Sequence, residues 1–211
     1  MMRLRCILLA GAAWILAVPA GLLAETQGPD VLVKRTVEEV LAIVRADKEI
    51  QAGNVETIAR LMDQKVAPHF DFARMTRLAV GRSWREATPG QREAIAREFR
   101  TLLVRTYSAA FTSYKDLTVE YRPLKTSPEE QEATVSTVIH LPGGNQPITV
   151  DYDMEQTPAG WKVYDVRIDG ASLIINYRNM FAEEIQRGGI GGLLKSLIEK
   201  NSGALATNRK G

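Results

Sequence analysis

The sequence predicts an α+β fold in which helices cover one face of an antiparallel sheet. Apolar residues recur at helical spacing through the first half of the chain, up to about Tyr114. The period then changes to two over several short segments. The connections between those segments are too short for crossover helices, which argues for an antiparallel meander with one wet face and one covered face. Helices sharing the covered face make two layers around one core, and no internal repeat or linker divides the chain.

The N-terminus stands apart from that domain. Arg3 and Arg5 precede the apolar run from Ile7 to Val18, and Pro19, Ala20, Gly21 and Ala24 follow it. Basic, then apolar, then small is the order of a secretory signal peptide, residues 1–24, cleaved after Ala20 or Ala24. A retained anchor is the competing reading, but Pro19 and Gly21 interrupt the run where a spanning helix continues. Cys6 precedes the run, a poor position for a lipid anchor. Its loss with the leader leaves no disulfide, thiol nucleophile or thiolate ligand. Removing Arg3 and Arg5 from the 27 basic residues balances them against the 25 acidic ones. A neutral chain lacks the clustered positive charge of a nucleic-acid-binding surface. Residues 25–211 then suit a single domain, with a polar tail from about residue 201.

Behind Pro29-Asp30, the positions Val33, Val37, Val40, Leu41 and Val44 predict a helix over Val31 to Ile50. Asn54 opens a second segment carrying Val55, Ile58, Leu61 and Met62, which Pro68 ends. Asp71 caps a third, short helix with Met75, Leu78 and Ala79, closed by Gly81. Thr88-Pro89-Gly90-Gln91 reads as cap, first-turn proline and capping-box glutamine. The helix that follows carries a wide apolar stripe of Ile95, Phe99, Leu102, Leu103, Thr106, Tyr107, Ala110 and Phe111.

Leu117, Val119 and Tyr121 alternate with Thr118, Glu120 and Arg122, and Glu132 to Leu141 puts Val135, Thr137, Ile139 and Leu141 on one face. The cleanest alternation sets Ile148, Val150, Tyr152 and Met154 against Thr149, Asp151, Asp153 and Glu155. A Thr157-Pro158-Ala159-Gly160 turn leads into the return strand, Trp161 to Ile168. Leu173, Ile174, Tyr177, Phe181 and Ile185 then form a helical stripe from Ala171 to Arg187. Gly188-Gly189 caps it, and Ile190 to Lys200 forms a last short helix.

Chemistry is thinly represented. An acid/base pair of His140 with Asp165 can be drawn, but His140 falls on the solvated face of its strand and His69 follows a helix-ending proline. Asp165 equally serves as a structural acceptor for neighbouring backbone or arginine groups. There is no nucleophile motif, phosphate loop or metal-ligand cluster, and two isolated histidines make a poor zinc site.

Several segments together resemble a known family. They are Pro68-His69-Phe70-Asp71-Phe72, the run from Leu78 to Arg85, Thr88-Pro89-Gly90-Gln91, the run from Trp161 to Val166, Gly170-Ala171-Ser172-Leu173, Asn176-Tyr177-Arg178 and Gly188-Gly189-Ile190. Their order and spacing are similar to the MlaC family, also known as toluene-tolerance proteins. Gly191 departs from the pattern, which often has an acidic residue there.

The resemblance implies a curved, mostly antiparallel sheet of four to five strands with helices on one face enclosing an apolar pocket. It implies a carrier that holds the tails of a diacyl phospholipid there, with no catalytic residues, no metal and no cofactor beyond that cargo. The carrier works in the periplasm, outside the membrane, between an inner-membrane MlaD-type complex and an outer-membrane MlaA-type lipoprotein. On this basis the candidate wall residues are Met75, Leu78, Val80, Leu103, Tyr107, Phe111, Val135, Ile139, Val150, Tyr152, Val163 and Ile174. Arg82 and Arg85 are candidates for head-group or partner contact. Read without the resemblance, the apolar positions are ordinary core, because interiors are normally filled. A small cone-shaped α+β enzyme and a protein-interaction domain with a filled core remain the alternatives.

Overall fold

Local capping chemistry sets the helix boundaries. The computed structural model describes residues 27–113, 116–125, 130–143 and 146–208, so the predicted signal peptide lies outside the described residues. Helix α1 (Pro29–Ala46) stops four residues short of Ile50, because the Asp47 carboxylate accepts from the amides of Glu49 (2.8 Å) and Ile50 (3.2 Å) and starts the short α2 (Lys48–Gln51) instead. In α3 (Val55–Leu61), Asn54 Oδ1 caps the Thr57 amide at 3.1 Å. Pro68 does not stop this segment abruptly: the chain first widens into a π turn over Met62–Val66, then tightens into a 3-10 turn over Ala67–His69. Helix α4 (Phe72–Val80) is capped by Asp71, which accepts from the Arg74 amide at 2.8 Å, and ends at Gly81 with φ 67°. A 3-10 turn over Gly81–Arg85 leads to α5 (Pro89–Ser113). There Thr88 and Gln91 form the predicted reciprocal pair, at 2.9 and 3.3 Å.

The strands β1 (Thr118–Tyr121), β2 (Glu132–His140), β3 (Ile148–Thr157), β4 (Gly160–Ile168) and β5 (Ala171–Ser172) pair antiparallel in sequence order. The sequence places Ala171 and Ser172 in a helix. They instead extend the sheet, Ser172 opposite Arg167 and Ala171 opposite Ile168, and α6 (Leu173–Asn208) begins two residues later than expected. Helix α6 breaks at Gly188 and Gly189, whose φ of 62° is costly for a residue with a Cβ. It then continues past Lys200 to Asn208, where the sequence suggests a polar tail.

A bulge re-phases β4. Tyr152 pairs with Val166 and Met154 with Val163, so Tyr164 and Asp165 together oppose Asp153. Trp161 and Val163 on one side of the bulge thereby share a face with Val166 and Ile168 on the other. The opposite face carries a polar ladder. Thr134 donates to Asp153 (2.7 Å), Ser136 donates to Asp151 (2.6 Å), and Arg167 reaches both aspartates, at 3.1 and 3.7 Å.

The buried apolar residues fall into three clusters. One joins α4, α5 and α6 around Phe99, which meets Tyr177 and Phe181 edge to face at 4.8 and 5.0 Å. A second sets Leu32 and Val33 of α1 against the sheet residues Val135, Val150, Met154, Trp161, Val163 and Val166. The third joins the C-terminal half of α1 to α2 and α3 through Val40, Val44, Ile50, Ile58 and Met62.

Asp165 ties sheet to helix. Its buried carboxylate accepts from the Val166 amide (2.8 Å), the Ser172 hydroxyl (2.5 Å) and the Ile174 amide (3.1 Å), while Ser172 Oγ accepts from the Ile175 amide at 3.1 Å. The residue therefore serves as a structural acceptor. Replacing Asp165 by Ala strands a buried hydroxyl and two amides and should cost roughly 2–3 kcal/mol in urea unfolding. Asp165→Asn, which keeps an acceptor oxygen, should cost less.

An apolar cavity between the helices and the sheet

A cavity of about 370 Å³ lies where the three clusters meet. The sheet supplies its floor through alternate residues: Val119 of β1, Ile139 of β2, Ile148, Val150, Tyr152 and Met154 of β3, and Val163, Val166 and Ile168 of β4. Helix α1 supplies one wall with Leu32, Val33, Thr36, Val37, Val40 and Leu41. The turns after α3 add Met62, Val66, Ala67, His69 and Phe70, while α4 gives Phe72 and Met75, and α5 gives Leu103, Val104 and Tyr107.

No carboxylate, ammonium or guanidinium belongs to the lining among the described residues. The titratable groups that do line it are held neutral. Burial, with Tyr177 as neighbour and hydrogen-bond partner, pushes the Tyr107 phenol up to about 12. Burial also raises the Tyr152 phenol. His69 is pushed below the ordinary imidazole value, first by burial and then by the nearby charges of Lys162 and Arg35. A cavity of this size and polarity suits an uncharged, largely hydrocarbon guest.

Seven of the residues singled out from sequence line the cavity: Met75, Leu103, Tyr107, Ile139, Val150, Tyr152 and Val163. Four others lie outside the lining. Leu78, Val80 and Ile174 pack into the α4–α5–α6 cluster, and Val135 is buried in the sheet cluster. The side chain of Phe111 lies outside the described residues. Sequence reasoning missed the α1 wall, although the helical spacing of Val33, Val37 and Val40 marked a buried face, and it took His69 for a plain turn residue.

Arg82 and Arg85 do not reach this lining. With Arg178, Gln186 and Ser83 they border a separate surface groove of about 850 Å³ beside α6. The 3-10 turn that carries them packs against α6. His140 is exposed and meets Glu120 at 3.2 Å. Among the described residues no group of three or more potential ligands gathers for a metal, and no helix is long and apolar enough to cross a membrane.

The depressed His69 value has a consequence for stability. The unfolded chain takes up this proton at ordinary imidazole values near 6.5, while the folded chain resists it. The contribution is intact at neutral pH and is lost as pH falls below about 6.5 toward the folded value. Urea stability measured against pH should therefore decline less steeply below 6.5 in His69→Gln than in the parent protein.

Comparison with known proteins agrees with this architecture. The toluene tolerance protein ttg2D of Pseudomonas putida is 26% identical over 184 residues, covering 87% of this chain and 85% of that protein. A phospholipid-binding protein from Ralstonia solanacearum, solved in complex with a phospholipid, superposes with a TM-score of 0.79 at 38% identity, covering 83% of this chain and 98% of the other. The model of the MlaC protein family matches residues 34–199, nearly all of the domain described above, and the chain belongs to that family.

Proposed function

We propose that this protein is a periplasmic phospholipid carrier and not an enzyme. The observation that carries the reading is the uncharged cavity between α1, α5 and the sheet, in a chain whose structural neighbour was solved with a phospholipid. The seven sequence-predicted residues in its lining, with Leu32, Val37, Ile148 and Phe70, are the proposed acyl contacts. The cargo is a diacyl phospholipid. Its carriage links an inner-membrane MlaD-type complex to an outer-membrane MlaA-type lipoprotein and so supports outer-membrane lipid asymmetry. Arg82 and Arg85, grouped with Arg178 around the groove on α6, are proposed to contact a partner and not the head group.

Hydrocarbon burial suffices for retention. Each buried methylene contributes about 0.8 kcal/mol, so roughly 14 of them gain on the order of 11 kcal/mol. Two such tails approach the ceiling of non-covalent affinity, about −18 to −21 kcal/mol. Release into water is then too slow to matter, and delivery requires a hand-over in which the tails stay in apolar surroundings.

Native mass spectrometry of the purified protein should find diacyl phospholipid whose head groups mirror the source membrane. A lipid-free protein, or one that selects a single head-group class from a mixed membrane, would contradict this reading. His140→Ala should leave lipid carriage intact, and a folded His140→Ala that binds lipid but no longer transfers it would restore the enzyme alternative.

Val150 separates cavity from core. In Val150→Gln an unpaired amide faces the cavity at a cost of roughly 1–3 kcal/mol. A displaced acyl tail makes room, so bound lipid per chain should fall more than the melting temperature of the delipidated protein. A steep loss of melting temperature at full lipid occupancy would identify Val150 as packed core.

A further inference from the structure

The lining is uncharged, but one stretch of its rim is crowded with cations. His69 is the imidazole of the lining, in the turn between α3 and α4. That turn is fixed to the sheet: Phe70 bridges to Val163, the Asp71 amide donates to the Val163 carbonyl at 2.9 Å, and Lys162 Nζ donates to the Pro68 carbonyl at 2.6 Å. The Lys162 ammonium is thereby held beside the His69 turn. From α1 comes Arg35, an exposed residue adjacent in sequence to the cavity-lining Thr36. Both Arg35 and Lys162 stand close enough to disfavour protonation of His69. Glu39 is the carboxylate that acts on the same imidazole, and it is engaged by Lys65 at 2.5 Å. Lys65 and Arg35 act on Glu39, while Lys162 is held by the Pro68 carbonyl, so three cations stand against one carboxylate around a neutral imidazole.

We propose that Arg35, Lys162 and His69 form a phosphate subsite at the rim of the cavity, which receives the phosphodiester of a lipid whose tails fill the apolar interior. The inference rests on the carrier reading above and adds to it the group that orients the cargo. The phosphodiester is the one charge common to glycerophospholipids, and it sits one glycerol away from the tails. Arg35 offers a planar fork of donors and Lys162 a point charge, while the imidazole offers an N–H. A subsite that reads the phosphate and nothing beyond it is compatible with indifference to the rest of the head group.

Lipid-stripped protein, otherwise unaltered, is equilibrated with vesicles containing dioleoyl phosphatidylglycerol or with vesicles containing dioleoylglycerol, which has the same tails and no phosphate. Bound lipid per chain is read by mass spectrometry, and the His69 imidazole is titrated by NMR. Loading with phosphatidylglycerol should raise the His69 pKa, because an anion now faces the ring, whereas dioleoylglycerol should not. Arg35→Glu, at an exposed helix position, and Arg35→Glu combined with Lys162→Met should each weaken phosphatidylglycerol retention relative to dioleoylglycerol, by on the order of tenfold for the pair. Equal losses for both lipids, losses for neither, or an unmoved His69 would overturn the subsite while leaving the carrier intact. The same His69 shift in empty protein given millimolar inorganic phosphate alone would assign the site to free phosphate and overturn the lipid subsite. Failure of the parent protein to bind either lipid would remove the carrier reading, and the subsite with it.

Discussion

The arrangement depends on one corner, where β4 passes through β5 into α6. The extra residue at Tyr164-Asp165 has two effects there. It shifts the pleat by one position, so that the apolar residues on either side of it face the same way. It also presents Asp165 to the Ser172 hydroxyl and the first amides of α6, which fixes where the helix leaves the sheet. Helices α4 and α5 pack on α6, and Arg178 of α6 reaches back to the Leu78 carbonyl at 3.0 Å. The position of the helical layer over the sheet is thus inherited from the Asp165–Ser172 pair at its edge and the backbone amides it holds.

Helix α1 completes the enclosure in a different manner. Its N-terminal part touches the sheet through Leu32 and Val33, and its C-terminal part packs on α2 and α3 through Val40 and Val44. Between those two anchorages its apolar face borders the cavity, with Val37 packed against the sheet cluster. The hollow lies between the three apolar clusters, and residues of all three line it.

Much of this was legible in the sequence, for reasons particular to each element. The caps at Asn54, Asp71 and Thr88 are local chemistry, and each forms the bond its residue type implies. The alternation of Ile148, Val150, Tyr152 and Met154 puts all four on the cavity floor, because a strand has only two faces. Helices gave less, since an apolar stripe shows that a face is buried without showing against what. Leu173 borders the cavity while Ile174, a rotation of about 100° further on, enters the Phe99 cluster. The same ambiguity hid the α1 wall and misplaced Leu78 and Val80. His69 reads from sequence only as a turn residue, because its place in the lining depends on Phe70 bridging to Val163, a contact between distant parts of the chain.

The division of apolar residues into separate clusters also bears on how the chain tolerates change. Side chains around Phe99 meet other fixed side chains, and there a methylene more or less is felt at once. Residues that border the hollow have no such fixed partner across it. Drift in wall identity that stays apolar alters the shape of the container, and disturbs the scaffold least at lining residues outside the three clusters, such as Leu41 and Val119. Relatives of this chain can thus diverge in the container while the scaffold is held constant.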